Sequence, residues 1–149
     1  MGYCFISRSG TVASKKEKVL LAENVEVMLS TIGKDAYKDI VLDESLSKYS
    51  EVEIHINGKL GSNGAHVDAT AKVTLYIKNA VTGSISTVYE YGDGNIGSED
   101  ISGIYSFSVP SSTSNIIRFI LYYSNDISRV FYGDSDTKPA TVTVYGIPK

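Results

Sequence analysis

Two short acidic clusters are the first places in the sequence where chemistry could occur. One spans residues 93–100, and the other is formed by Asp134 and Asp136. Hard cations such as calcium take several oxygen ligands, and carboxylates in a turn can supply some of them. Neither cluster has the ligand spacing of a calcium loop, and Asp, Asn, Gly and Ser are also the usual residues of β-turns. We therefore predict ordinary turns, with no metal site and no cofactor.

The side chains that support catalysis do not form a recognisable constellation in this sequence. It contains neither a G-x-S-x-G nucleophile elbow nor a phosphate-binding glycine loop. Cys4 would need a positioned base to act as a nucleophile, and the sequences around His55 and His66 do not indicate one. Glu90 has a tyrosine on either side, but on a strand we expect it to point to solvent. We predict a protein that is not an enzyme, with no catalytic residues; the alternative is a carbohydrate-active enzyme on the same scaffold.

Tyrosine is the residue type that most clearly indicates binding. The chain has 11 Tyr and no Trp, and several Tyr fall on predicted strands in outward-facing positions. A tyrosine ring is flat and apolar and carries a hydroxyl, which suits subunit interfaces and sugar-stacking surfaces, although cross-strand packing is the simpler alternative. In segments 89–95 and 122–126, a strand carrying Tyr runs into a turn that contains Asp and Asn. The predicted ligand-binding residues are Tyr89, Tyr91, Asp93, Asn95, Tyr122, Tyr123 and Asn125.

Composition limits the classes of partner and the number of domains. The 149 residues carry a formal net charge of -3, and the densest basic run, residues 15–18, is interrupted by Glu17. Nucleic-acid binders present clustered Lys and Arg, so no nucleic-acid partner is expected. The single Cys4 cannot form an internal disulfide. With 42% hydrophobic and 21% charged residues, the chain has the composition of one globular domain, residues 1–149.

The sequence also lacks the features that direct a chain into a membrane. It has no basic segment followed by an apolar run and a cleavage site, and no apolar run approaches the about 18 residues needed to span a bilayer. We expect synthesis in the cytoplasm without a signal peptide, and no membrane insertion.

Alternation of apolar and polar residues is the main evidence on the fold. Residues 51–57 place three apolar side chains on one face, and residues 71–78 alternate in the same way. The Gly-rich residues 57–65 between them are expected to form a loop across which the two strands pair. Further strands follow at the spacing of about 8 to 12 residues that is typical of sandwiches. They are residues 3–7, 19–30, 37–42, 84–91, 101–109, 116–123, 128–132 and 140–147. This pattern predicts an all-β antiparallel β-sandwich of about eight to ten strands.

Some segments depart from simple alternation. Residues 116–123 are apolar on both faces apart from Arg118, which indicates a central strand or one covered by a second copy of the chain. Ile104 is expected to face the core. The strand 19–30 is expected to be interrupted near Asn24, and residues 43–48 are too short for more than one helical turn.

Residues 38–56 resemble a pattern found in many virion proteins of tailed phages: a strand, a short Ser-Leu-Ser-x-Tyr turn and a second strand. The late strand 117–123 is similar to a closing strand of those domains. Residues 140–147, which end in Tyr-Gly-Ile, are similar to their terminal strand. The chain is therefore identified with the β-sandwich domains of tailed-bacteriophage virions.

This resemblance implies a β-sandwich, often of jelly-roll type, on a tail-fibre tip or another virion appendage. Such domains commonly form homotrimers, contact other virion proteins and recognise host-surface glycans or proteins. The resemblance therefore implies a non-enzymatic structural protein with a receptor-binding role. The sequence begins without an attachment shaft or coiled coil, which raises the alternative of a head-decoration or tail-accessory protein that stabilises the particle.

Overall fold

Strands make up nearly all of the regular structure in the described part of the chain. The computed structural model describes residues 17–31, 33–64, 68–77, 80–90, 97–111, 114–122, 127–135 and 137–149. The strands are β1 (Val19–Val27), β2 (Leu29–Ser30), β3 (Ala36–Val41), β4 (Tyr49–Asn57), β5 (Lys59–Gly64), β6 (Asp68–Ile77), β7 (Ala80–Glu90), β8 (Gly97–Asp100), β9 (Gly103–Ser108), β10 (Ile116–Leu121), β11 (Ile127–Tyr132) and β12 (Ala140–Pro148). One 3-10 turn, Leu46–Lys48, lies between β3 and β4.

The strands pair as one long hairpin that is rolled up on itself. β6 pairs with β7, and moving outward along the chain β5 pairs with β8, β4 with β9, β3 with β10, β2 with β11 and β1 with β12, all antiparallel. Three four-stranded sheets result, in the orders β1-β12-β4-β9, β3-β10-β6-β7 and β2-β11-β5-β8. This nesting is jelly-roll topology. The predicted all-β antiparallel sandwich is confirmed, with twelve described strands where eight to ten were expected.

The core lies between the first two sheets and is completed by the third. Alternation turns the apolar side chains of β4 and β10 inward. These side chains are Val52, Ile54, Ile56, Ile117, Phe119 and Leu121, each at most 4% exposed. The third sheet contributes Phe131, whose ring stacks on that of Phe119 with 6.3 Å between the centroids. Full burial of one such side chain stabilises the fold by about 1.5–3 kcal/mol.

Two glycines let aromatic rings approach the backbone closely. A Cβ atom on Gly83 of β7 would lie 2.1 Å from the ring of Phe107 on β9. A Cβ atom on Gly146 of β12 would lie 2.5 Å from the ring of Tyr49 on β4. Both distances are shorter than any van der Waals contact, so a larger residue would force the ring or the strand to move. Gly83 thus sets how closely β7 and β9, in opposing sheets, can approach.

The prediction of a loop at residues 57–65 is wrong. β5 occupies Lys59–Gly64 and pairs with both β8 and β11. Its glycines hide the alternation, but ladder hydrogen bonds need only the backbone. The predicted pairing of strand 51–57 with strand 71–78 is also wrong, because β4 pairs with β9 and β12 while β6 pairs with β7 and β10. The two strands lie in different sheets.

Two smaller differences concern β9 and β1. Ile104, expected in the core, is 62% exposed, whereas Phe107 packs against the core from the other face of β9. Residues an odd number of positions apart on a strand cannot share a face. In β1 the expected interruption is a β-bulge: the pairing with β12 shifts between Ala22 and Val25, and Asn24 adopts a φ of 49°. Asn tolerates this left-handed conformation better than most residues.

Some residues named in the sequence predictions are not described by the structure: the predicted strand 3–7, Cys4 and His66. That residues 1–149 form one domain stays a prediction. The helical turn expected within residues 43–48 is the 3-10 turn. Within the described ranges, no helix has the length and apolar character that a membrane span requires.

Candidate ligand-binding face

The outer face of the β3-β10-β6-β7 sheet carries two rows of side chains that cross all four strands. Paired residues of antiparallel strands stand side by side on one face, so the register fixes each row. The first row is Asp39, Arg118, Tyr76 and Val81, and the second is Tyr37, Ile120, Thr74 and Ser84. Tyr122 follows on the same face, two positions after Ile120. We call these nine residues the Tyr37 face.

Tyr37 presents an exposed aromatic ring that is supported from one side. The side chain is 59% exposed, and the guanidinium carbon of Arg118 lies 4.2 Å from the ring centroid, within the range of a cation–π contact. Asp39 fixes this guanidinium: Nε of Arg118 donates to Oδ1 at 2.6 Å, and Nη2 donates to Oδ2 at 2.9 Å. Such a bidentate pair restricts the rotation of the arginine. One side of the ring is therefore covered by Arg118, and much of the residue remains exposed to solvent.

The ionised form of the Asp39 carboxyl is favoured by its partner Arg118. The hydrogen bonds from Arg118 lower the pKa of Asp39, with partial burial acting in the opposite direction. The pair therefore behaves as a fixed zwitterion beside the Tyr37 ring.

A second pair of aromatic residues lies further along the same face. The hydroxyls of Tyr76 and Tyr122 are hydrogen-bonded to each other. Thr74 stands beside Tyr76 in this region of β6 and is only 4% exposed, although alternation predicts that it points outward. The Ser84 hydroxyl donates a hydrogen bond to that of Thr74 at 3.2 Å. The hydrogen bond with Tyr76, followed by burial, raises the pKa of Tyr122 to about 12.

Two of the predicted ligand-binding residues, Tyr89 and Tyr122, lie at one end of this sheet. Tyr122, the member of the set whose side chain is described, belongs to the Tyr37 face and is 38% exposed. Tyr89 is the penultimate residue of β7, and its side chain lies outside the described part. β7 and β10 both run antiparallel to β6, so their carboxyl ends lie at the same end of the sheet. The residues outside the described ranges are Tyr91, Asp93, Asn95, Tyr123 and Asn125. Ligand binding by this set stays a prediction.

Of the nine residues of the Tyr37 face, Tyr122 alone is in the predicted ligand-binding set. The three that build the stacking site, Tyr37, Asp39 and Arg118, are missing from it. Arg118 carried a signal, because it is the one charged residue in an otherwise apolar segment. Its partners could not be identified, because they depend on the pairing of β3 with β10, which the local pattern of either strand does not contain.

The outer face of the β1-β12-β4-β9 sheet also combines an aromatic ring with charged groups. Nζ of Lys18 lies 2.9 Å from Oε1 of Glu53 and 4.7 Å from the ring centroid of Tyr145. Nε2 of His55 lies 2.7 Å from the same oxygen, and its ring centroid is 4.8 Å from that of Tyr145. Hydrogen bonds from Lys18 and then from His55 lower the pKa of Glu53. We call these four residues the Tyr145 cluster; its half-buried ring is contacted by two neighbours.

The acidic clusters are described in part. The Asp100 carboxylate accepts a hydrogen bond from the backbone N–H of Ser102 at 2.9 Å, and hydrogen bonds from Ser102 lower the pKa of Asp100. Asp134 is exposed in the turn closed by the Gly133 N–H, which donates to the Lys138 carbonyl at 2.7 Å. Among the residues that the structure describes, no three His, Cys, Asp or Glu side chains are grouped to hold a metal.

Comparison with known proteins does not assign the chain to a family. No protein-family model matches it, and no curated protein matches its sequence. A structure of the carbohydrate-binding module CBM4 aligns over 91% of this chain and 78% of that chain, with 7% identity and a TM-score of 0.37. A structure of carbohydrate-binding module CBM36 in complex with calcium and xylotriose aligns over 87% of this chain and 97% of that chain, with 13% identity and a TM-score of 0.30. A chain from a structure of infectious bursal disease virus, Gx strain, aligns over 89% of this chain and 36% of that chain, with 12% identity and a TM-score of 0.28. These low scores leave function to be argued from the residues.

Proposed function

We propose that the protein is a non-catalytic binding module that holds a glycan on the Tyr37 face. The observation that carries the proposal is the open ring of Tyr37, which is supported by Arg118 and fixed through Asp39. The C–H groups on one side of a sugar ring are apolar and pack well on a flat aromatic surface. Because the support is already rigid, little side-chain freedom is lost on binding.

Polar groups around the ring suit the hydroxyls of a sugar. The face carries the hydroxyls of Tyr76, Ser84 and Tyr122, which both donate and accept hydrogen bonds. Arginine has five N–H donors, and Asp39 engages two of those of Arg118. The face therefore offers one stacking surface, several hydroxyl groups, and the N–H groups of Arg118 that Asp39 does not engage.

We also propose that segments 89–95 and 122–126, predicted from the sequence, contribute to ligand binding. Tyr122 belongs both to this predicted set and to the Tyr37 face. The residues that we propose there are Tyr89, Tyr91, Asp93, Asn95, Tyr122, Tyr123 and Asn125.

We further propose that the module belongs to a phage virion, as a homotrimeric tail-fibre or receptor-binding domain that attaches to a host-surface glycan or protein. The resemblance of residues 38–56, 117–123 and 140–147 to tailed-phage virion domains supports this role. A second candidate is a head-decoration or tail-accessory protein. Val41 and Val81, on the two edge strands of the sheet, are 65% and 62% exposed, and such aliphatic side chains favour contact with another protein.

A glycan array followed by calorimetry tests the binding function. The intact protein is screened on host-surface and plant glycans, and the best ligand is titrated into the wild type and into Tyr37→Ala. We expect this variant to bind about tenfold or more weakly, because it loses the stacking surface. Ile104→Ala, an equally exposed position on the opposite sheet, is the matched control and should bind like the wild type. Equal binding by wild type and Tyr37→Ala would contradict the proposal.

Particle assembly separates the two virion roles. The protein is mixed with virions that lack it, and light scattering gives its mass in solution. A receptor-binding domain should bind glycan through Tyr37 and form a trimer. A decoration protein should instead bind the particle, and a double Val41→Ser, Val81→Ser variant should weaken that association.

A further inference from the structure

We propose that the ligand of the Tyr37 face is an uncharged glycan, and that the face discriminates against uronic, sialic and sulfated sugars. This inference rests on the proposed function and names the class of ligand. It follows from the charges on the face, which are already matched to each other before any ligand arrives.

The single cation of the Tyr37 face is occupied. Among the nine residues of the face, Arg118 is the one cation and Asp39 the one anion, and two hydrogen bonds of 2.6 and 2.9 Å join them. Two further charged groups lie beside the Tyr37 face. Lys72 is exposed on β6, one row further along, and Asp35 lies near enough to Tyr122 to help raise the pKa of its hydroxyl. The full chain carries a net charge of -3, which also disfavours a polyanionic ligand.

An acidic sugar would have to compete with Asp39. Its carboxylate or sulfate would approach the Arg118 guanidinium and meet a second anion bound to the same nitrogen atoms. Two anions at one guanidinium repel each other, and displacing Asp39 breaks two charge-assisted hydrogen bonds. A neutral sugar avoids this competition, because it needs only the open Tyr37 ring and the hydroxyls around it.

Calorimetry on matched neutral and acidic ligands tests the inference with the intact protein. The probes are hexasaccharides of glucose, mannose and galactose, the hexasaccharide of galacturonic acid, and lactose beside sialyllactose. We expect binding to be confined to neutral members, to weaken about tenfold in Tyr37→Ala, and to change less than about twofold between about 50 and about 500 mM NaCl.

A variant that removes the negative charge of Asp39 tests for a gain in the binding of acidic probes. Asp39→Asn keeps the shape of the side chain but removes the negative charge and one of the two acceptors of Arg118, so acidic probes should bind about fivefold or more tightly than to the wild type. Glu51→Gln, an exposed position on the opposite sheet, changes the net charge equally and should leave acidic binding as it was.

The outcomes distinguish the two proposals. Tyr37-dependent binding of acidic members alone would overturn the inference and leave the binding function standing. An Asp39→Asn variant without any gain for acidic probes would also overturn it. Failure of every neutral and acidic probe to bind would overturn both proposals.

Discussion

The outer faces of the two large sheets hold the same kinds of side chain in different arrangements. On the Tyr37 face, a ring that is 59% exposed rests on Arg118, and that arginine is tied to Asp39. In the Tyr145 cluster, the ring is half-buried and is contacted by both Lys18 and His55. Each face thus combines an aromatic ring, a cation and a carboxylate.

The difference shows that the same kinds of side chain can leave an aromatic ring exposed on one sheet and half-buried on another. When two neighbouring residues contact a ring, they cover much of its surface, and the ring stabilises its own sheet. A ring supported on one side keeps area for a partner while losing little mobility on binding. The deciding property is how much of the ring the fold leaves open, and cross-strand register sets this.

The largest expected effect comes from a variant that touches neither face. Gly83→Ala would push a Cβ atom into the ring of Phe107 and should lower the free energy of unfolding by about 1–3 kcal/mol. Gly103→Ala is the matched control, because the atoms nearest its Cβ would be 3.9 Å away. Urea denaturation measures both. Since each face lies outside the core, glycan affinity of the folded Gly83→Ala protein should equal that of the wild type; weaker binding would show that sheet separation controls the Tyr37 face.

The second prediction compares the two rings directly. Tyr145→Ala removes a half-buried ring with two contacts and should lower the free energy of unfolding by about 1–2 kcal/mol, whereas Tyr37→Ala should change it by less than about 0.5 kcal/mol. Thermal and urea unfolding of both variants provide the values. The contrast between the faces fails if Tyr37→Ala proves the more destabilising of the two.

The smallest effect concerns ionisation on the Tyr37 face. The pKa of Tyr122 is raised to about 12, above the ordinary tyrosine value of about 10. A raised pKa favours the protonated form in the folded state, so its stabilising contribution is complete below pH of about 10 and is lost as the pH rises towards 12. Absorbance titration of tyrosinate should show a late-ionising component that loses one tyrosine in Tyr122→Phe, and in Tyr76→Phe the ionisation of Tyr122 should move towards pH of about 10.

Tyr145→Phe is the control for this titration and should retain the late step. Loss of the late ionisation step in Tyr145→Phe would instead assign this step to a tyrosine of the opposite sheet.

The sequence was sufficient to identify the strands with regular alternation. β4 and β12 were predicted because one face of each enters the core, and burial imposes a two-residue period. β5 was missed because its glycines carry no pattern. The pairing of β4 with β12 and of β6 with β10 was also missed, since register between distant strands depends on the whole set of neighbours.

Prediction of the candidate site shows the same division. Tyr122 could be selected because its residue type and the turn-forming residues that follow it in the sequence are local properties. Arg118 was noticed as a charge in an apolar strand, but its stacking on Tyr37 and pairing with Asp39 arise from a ladder between distant parts of the chain. Local sequence therefore indicates which side chains suit a partner, and topology decides which of them meet.

The rolled hairpin has a consequence for synthesis on the ribosome. β12, the last of the described strands to emerge, occupies an interior position between β1 and β4, so β1, the first of the described strands to be made, lacks this partner until then. The hairpin of β6 and β7 joins residues close in sequence and can form early, whereas the outermost pair must wait. We accordingly expect this sheet to close late in synthesis, and nascent chains stalled before β12 should be readily cleaved by proteases at β1.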